Sequence, residues 1–335
     1  MSEKSILNLF LVAACLLSQF VVQGQAAEAL SDTHWDPYLN REWTPSQDQQ
    51  LQDPILLGAI DLHVHSGPDA YPRQWDAFEV ARTAAQRGMR AIVLKNHWTE
   101  TAGLAQMVDQ SVDADFEVFG AVAMNTTVGG LNTRAIRYMS SVSGDRGRIV
   151  WLPTHESDHE VEVDGTVRPS VNVSANGVLL DETLSVLDAI ASANLTLATG
   201  HVTPTEALQI MEEAGKRGIE RIIITHPTLG LQYTYMSNDE LKQAVALGGY
   251  VEITAGSLYR GGEGQARALE VLKLVGAEHS FIGSDSGLIG TPTVPDALVM
   301  AARVLRENGF SEAELFMMFQ DNPARLLGLP LLNRD

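Results

Sequence analysis

The chain is poor in cysteine and in positive charge. It has one cysteine, Cys15, and 23 Lys and Arg against 42 Asp and Glu, for a formal net charge of −19. Nucleic-acid binders draw affinity from clustered Lys and Arg that release counterions, and no basic run of five or more occurs, so that class is excluded. Anionic membrane surfaces are disfavoured for the same reason. Walker loops, dinucleotide-binding glycine fingerprints and Gly-x-Ser-x-Gly elbows are also missing; Ser284-Asp285-Ser286 carries Asp at its centre. What is present is ordinary globular material: 45% hydrophobic and 19% charged residues across 335 positions, which excludes disordered, collagen-like and disulfide-scaffold chains.

The amino terminus reads as an address. Ile6 to Val22 is apolar apart from Asn8, Ser18 and Gln19, follows Lys4, and leads into Gln25-Ala26-Ala27. This predicts a signal peptide over 1–26, cleaved after Ala26, and hence a periplasmic or secreted protein without a stable membrane span once mature. A lipoprotein box ending at Cys15 is the weaker alternative, because apolar residues continue beyond it. Cleavage leaves the charge at −19 and the mature chain without cysteine, which removes disulfides, thiol catalysis and zinc–thiolate sites. Residues 27–53 read as a polar arm, and 54–335 as the folded domain.

Within that domain, β-branched apolar runs recur at Leu57–Val64, Ala91–Leu94, Phe116–Ala123, Arg148–Leu152, Leu195–Thr199, Arg221–Thr225, Tyr250–Thr254 and Ser280–Gly283. Their starts are spaced by about 32 residues, the size of one βαβ unit. Helical patterns lie between them, such as the one entered through Thr203-Pro204-Thr205-Glu206 with its Thr cap, early Pro and capping-box Glu. Eight even units favour a single-domain α/β fold, a (β/α)8 TIM barrel, over an open doubly wound sheet. The longest connection, 153–194, holds the acidic stretch Thr154 to Asp164 and reads as a binding loop.

Barrels of this kind carry their chemistry at the carboxyl ends of the strands. There the sequence places Asp61-Leu-His63-Val-His65, Lys95-Asn96-His97, His201, His226 and Asp285. His63 and His65, two apart on a strand, share a face, and neutral imidazoles converging on one point suit a divalent cation. His201, His226 and Asp285 come from three other strands and complete one or two metal positions. Imidazole and carboxylate donors admit zinc first, then manganese, iron or cobalt. Asn96, His97, Asn125, His155, Glu252 and Arg260 are candidate substrate contacts.

This set resembles the amidohydrolase superfamily of metal-dependent hydrolases. The likeness rests on His63-x-His65, His201, His226 and Asp285 in strand order and on the closing Asn322-Pro-Ala-Arg-Leu-Leu-Gly-Leu329. Asp61 to Asp69 and Ile92 to His97 further resemble a little-characterised amidohydrolase-like subgroup. The resemblance implies one or two divalent ions and an activated water. It also implies Asp285 as general base and His226, or His155, in polarisation or leaving-group assistance. It departs at strand 4, where family members carry a carboxylated lysine and this chain ends Trp151-Leu-Pro-Thr-His155. Three readings follow: Lys95 is carboxylated and bridges two metals; Lys95 stays a cation that polarises substrate or pairs with Asp61 or Asp69; or His97 supplies the extra ligand or the site is mononuclear.

The expected function is hydrolysis of a C–O or C–N bond in a small-molecule ester, lactone or amide. Phosphoester hydrolysis, metal-assisted lysis and an inactive ligand-binding barrel are the alternatives, and a homo-oligomer is compatible with all of them.

Overall fold

A computed structural model describes residues 49–112, 115–228 and 234–333; the expected signal peptide and most of the polar arm lie outside them. Eight parallel strands follow one another around a sheet: β1 (Ile60–Val64), β2 (Ala91–Leu94), β3 (Glu117–Ala123), β4 (Gly147–Trp151), β7 (Thr196–Ala198), β8 (Ile222–Ile224), β9 (Gly249–Thr254) and β10 (Ser280–Gly283). A parallel bridge between Val64 and Ser286 joins the last strand back to the first. That closure makes the fold a (β/α)8 barrel and rules out the open doubly wound sheet.

The expected strands agree with these to within a few residues, with one correction. The first does not begin at Leu57: Pro54–Leu56 forms a 3-10 turn capped by Asp53, Leu57 is exposed and Gly58 takes φ +84°, so pairing starts at Ile60. The polar arm is also tied down earlier than expected. The backbone N–H groups of Gln49 and Leu51 donate to the buried Asp296 carboxylate at 2.7 and 2.8 Å. The long 153–194 connection contains a helix, Asp158–Asp164, and a short antiparallel pair, β5 (Ser174–Ala175) and β6 (Val178–Leu179), that strand periodicity did not reveal.

Two apolar layers follow from the strands being covered on both faces. A large cluster lies between sheet and helices, while Ile60, Ala91, Val93, Phe119, Ile149, Trp151 and Phe281 belong to a smaller one inside the barrel with Leu326 and Leu327 of the last helix. In β1 the register against β2 slips by one residue between Asp61 and Val64. Ile60 therefore faces the interior with Ala91, whereas Val64 faces outward beside Leu94. That slip is what turns His63 and His65 inward, since a one-residue shift exchanges the two faces of a strand.

Tight chain reversals deliver the other side chains. Gly200, at φ +65°, precedes His201, and a Cβ there would fall on the carbonyl oxygens of Leu152 and Pro153. Gly200→Ala is expected to cost about 2–4 kcal/mol from left-handed strain and backbone overlap. Urea unfolding checks this: a midpoint equal to wild type would contradict the packing described.

Candidate metal centre

His63 lies in β1, His65 follows it, Lys95 follows β2, His201 follows β7, His226 follows β8 and Asp285 follows β10. His226 and Asp285 sit at φ +24° and +50°, the left-handed region that non-glycine residues enter at a cost and that recurs at functional sites. The strand ends are pinned by polar side chains. Asp61 Oδ1 accepts from the N–H groups of His63 and Ser284, both at 3.0 Å. Thr199 Oγ1 accepts from Thr225 N at 3.0 Å and Thr225 Oγ1 from Gly200 N at 3.0 Å.

These reversals bring the predicted ligands together. Asp285 Oδ1 is 3.2 Å from His63 Nε2 and 3.3 Å from His65 Nε2, and the two Nε2 atoms are 3.3 Å apart. One donor atom from each of His63, His65 and Asp285 falls within 4.8 Å of the others. Beside them, His201 Nε2 and His226 Nε2 are 3.2 Å apart, and the His63 and His226 rings stack at 5.8 Å. Lys95 Nζ is 2.9 Å from His63 Nε2 and 5.0 Å from the centre of the Trp151 ring.

A shell of charged partners orients the rings. Glu252 Oε1 takes His63 Nδ1 at 2.6 Å, and its Oε2 accepts His226 N at 3.2 Å. Glu160 binds the Nδ1 atoms of both His155, at 2.8 Å, and His201. A carboxylate only accepts, so His63 and His201 keep their protons on Nδ1 and turn Nε2 lone pairs inward, the orientation a cation requires. His65 is the exception: its Nδ1 faces the donor Arg73 Nη2 at 3.2 Å, and Arg73 in turn pairs with Asp69 at 2.7 Å.

Electrostatics keep these donors in ligating form. Burial lowers His65 and His201 below the usual imidazole range, and it lowers His226 to about 3. Burial would push Asp285 up, but His63, His65 and His226 outweigh it and hold the carboxyl well below its ordinary value. Burial brings Lys95 down to about 8 against the pull of Asp285, Glu252 and Glu160, and raises Asp61 to about 6. Neutral imidazoles beside an ionised carboxylate, with the Nε2 lone pairs of His63 and His201 turned inward, fit a divalent cation; His65, whose Nδ1 accepts from Arg73, holds its proton on Nε2 toward Asp285 and gives it up when it ligates.

The remaining candidates divide. His97 stacks on His65 at 5.0 Å and bonds Thr154 Oγ1 through Nδ1 at 2.9 Å. His155 borders His97 at 5.6 Å. Glu252 is held inside the barrel by His63. Asn96 Oδ1 accepts from the N–H groups of Trp98 and Thr99, closing a turn. Asn125 ties the loops together through Thr154 N, Thr154 Oγ1 and His97 O. Arg260 is exposed at the end of the helix Ala255–Tyr259, over the Tyr259 ring. The ion-pair reading of Lys95 is corrected: Asp69 pairs with Arg73, and Asp61 is taken up by backbone N–H groups.

Sequence reasoning missed Glu160 and Arg73. Glu160 stands in an ordinary Ser-x-x-Glu helix start, and Arg73 in a loop without any motif, so neither carried a signal of its own.

Residues 58–252 match the family model described as "Family of unknown function (DUF6282)". No curated protein matches the chain. Among solved structures, the barrel is similar to an organophosphorus hydrolase from Deinococcus radiodurans, with a TM-score of 0.53 and 16% identity over 86% of this chain and 100% of that one. A probable 2-pyrone-4,6-dicarboxylic acid hydrolase from Acinetobacter baumannii, with citric acid bound, gives 0.55 and 15% over 82% and 100%. An organophosphate-hydrolysing protein engineered from a weak promiscuous lactonase template gives 0.52 and 18% over 81% and 96%. At these identities the likeness establishes a shared fold, the (β/α)8 barrel.

The depressed His226 predicts acid sensitivity in metal-free protein. A group whose folded value lies near 3 while its unfolded value is 6.5 leaves the unfolded chain with the extra proton between those limits. Stability therefore falls as pH drops below about 6.5, by up to about 1.4 kcal/mol per pH unit from this residue. Denaturation of chelator-treated wild type and His226→Gln between pH 7 and 4 checks it: the wild type should lose more, and parallel curves would contradict the assignment.

Proposed function

The chain belongs to the DUF6282 family, and from that starting point we propose that this member is an exported metal-dependent hydrolase of a small-molecule ester, lactone or amide. The observation that carries the reading is the convergence of His63, His65 and Asp285 donor atoms within 4.8 Å, next to the His201–His226 pair, at the carboxyl ends of four barrel strands. A binding module has no need for this many inward lone pairs in one buried place.

His63, His65 and Asp285 would hold one divalent ion, zinc or else manganese, iron or cobalt, and His201 and His226 a second. Such an ion supplies Lewis acidity toward a carbonyl or phosphoryl oxygen and lowers the pKa of water. The protein's own groups do the rest. Asp285, ionised by its imidazole neighbours, takes the proton of the attacking water and passes it to the leaving group. His226 faces the same space and steadies the leaving group. Lys95, desolvated to a value near 8, joins the ligand set as its carbamate; intact mass spectrometry checks this as a labile CO2 increment absent from Lys95→Met. His97 and Arg260 contact the substrate.

The acidity of the chain constrains that substrate. A strongly anionic ligand meets the field of 19 excess negative charges, whereas a neutral or cationic one does not. Phosphoester hydrolysis is the second reading, favoured by the likeness to organophosphorus hydrolases. Among the described residues no helix is long and apolar enough to cross a membrane, and export rests on the amino-terminal pattern; mass spectrometry of secreted material should find a start at Ala27.

The test is turnover of chromogenic esters, lactones, amides and phosphotriesters. Chelation should abolish activity and added Zn²⁺, Co²⁺ or Mn²⁺ restore it. Asp285→Asn should keep bound metal while kcat falls about 10²- to 10⁴-fold. Turnover indifferent to chelation, or an Asp285→Asn enzyme as fast as wild type, would refute the mechanism.

A further inference from the structure

Among the described residues, five helices open with a capping sequence in which Ser, Thr or Asp is followed three residues later by Glu. In four of them, led by Asp76, Thr203, Ser237 and Ser311, the Glu side chain folds back onto the cap backbone. The fifth begins at Ser157, whose hydroxyl accepts Glu160 N at 3.0 Å, yet the Glu160 carboxylate leaves the box and turns into the barrel. Its two oxygens take the Nδ1 atoms of His155 and His201. The same segment grips both residues again. Ser157 Oγ donates to the His201 carbonyl at 2.7 Å, and the buried Arg168 donates to the His155 carbonyl from Nη2 at 2.8 Å and from Nε at 3.1 Å.

The consequence is chemical. Both rings must present Nδ1–H to the carboxylate, so in each neutral ring the lone pair lies on Nε2, the atom pointing away from Glu160. For His201 that atom meets His226 Nε2. For His155 it is buried and has no hydrogen-bond partner, walled by the rings of Tyr71 at 5.7 Å, Trp98 at 5.9 Å and His97 at 5.6 Å. Unlike His201, whose Nε2 lies 3.2 Å from His226 Nε2, His155 has no such imidazole partner and is surrounded by those three rings, so its lone pair is left for something other than the cation. A buried unsatisfied acceptor in a native site marks the place of a missing donor.

We propose that Glu160 is a positioning residue that sets two imidazoles with one carboxylate, His201 toward the cation and His155 toward the substrate, and that the substrate offers an O–H or N–H donor to His155 Nε2. The substrate half rests on the hydrolase reading above; the positioning half does not. The aromatic walls fit a flat group carrying that donor, such as an enol, phenol or amide N–H next to the scissile bond.

Full-length protein labelled with ¹⁵N-histidine tests the positioning half before any metal is added. Ring nitrogen shifts should place His155 and His201 in the Nδ1–H form, and Glu160→Gln, whose amide oxygen accepts from one ring only, should release at least one of them. Co²⁺ affinity should then drop by about 10- to 100-fold in Glu160→Gln. Glu206→Gln, which opens an ordinary capping box, should stay within twofold. His155→Gln should bind Co²⁺ like wild type but lose kcat/KM on substrates bearing the donor, and much less on matched substrates in which it is methylated.

Wild-type rings in the other tautomer, or Glu160→Gln with unchanged Co²⁺ affinity, would overturn the positioning role. Loss of Co²⁺ in His155→Gln, or equal losses on both substrate series, would overturn the substrate contact. A wild type that binds Co²⁺ in the stated tautomers yet turns over nothing would contradict the hydrolase reading, and with it the substrate half, while upholding Glu160.

Discussion

Buried carboxylates on the outer faces of imidazole rings are the interaction on which the site depends. Glu252 behind His63 and Glu160 behind His201 each accept a hydrogen bond from an Nδ1–H, and each thereby decides where a lone pair points. Without them the two rings could rotate or change tautomer, and the Nε2 atoms would have no reason to meet. The carboxylates are themselves affordable inside the barrel only because the same imidazoles pull their pKa values down against burial. Ring and carboxylate stabilise each other, and an inward-facing, electron-rich pocket is the result.

The barrel's contribution is to bring such pairs from distant parts of the chain to one end. Its most consequential detail is the register slip in β1. The alternation that starts with Ile60 inside would put His63 on the helix side of the sheet; the slip between Asp61 and Val64 reverses it. Asp61, buried at that point, bonds the N–H groups of His63 and Ser284 and so joins the slipped strand to β10. The strain of positive φ at His226 and Asp285 is borne at the same level.

Much of this was legible in the sequence. Strand spacing revealed the barrel, and the identity of residues at strand ends revealed His63, His65, His201, His226 and Asp285, because those signals are local and periodic. That His63 and His65 share a face followed from their spacing; which face it is followed only from the slip, which leaves no trace in an apolar pattern. The orienting shell was illegible for a different reason. Glu160 has the same sequence context as four ordinary capping glutamates, and what diverts it is the proximity of His201, 41 positions away. Lys95 shows the same limit: its depth was readable, but its neighbour proved to be His63 rather than Asp61 or Asp69, since Arg73 had already claimed Asp69. His65 remains distinct within the set, because Arg73 rather than a carboxylate stands behind it.

The central claim is that this pocket is built for divalent metal. It is tested most directly by measuring the metal content of protein purified without chelator, alongside His63→Ala/His65→Ala. The account predicts one or two divalent ions per wild-type chain and a loss of at least one in the double variant. A wild-type protein that carries none, and takes up none when dialysed against Zn²⁺, Co²⁺ or Mn²⁺, would contradict it.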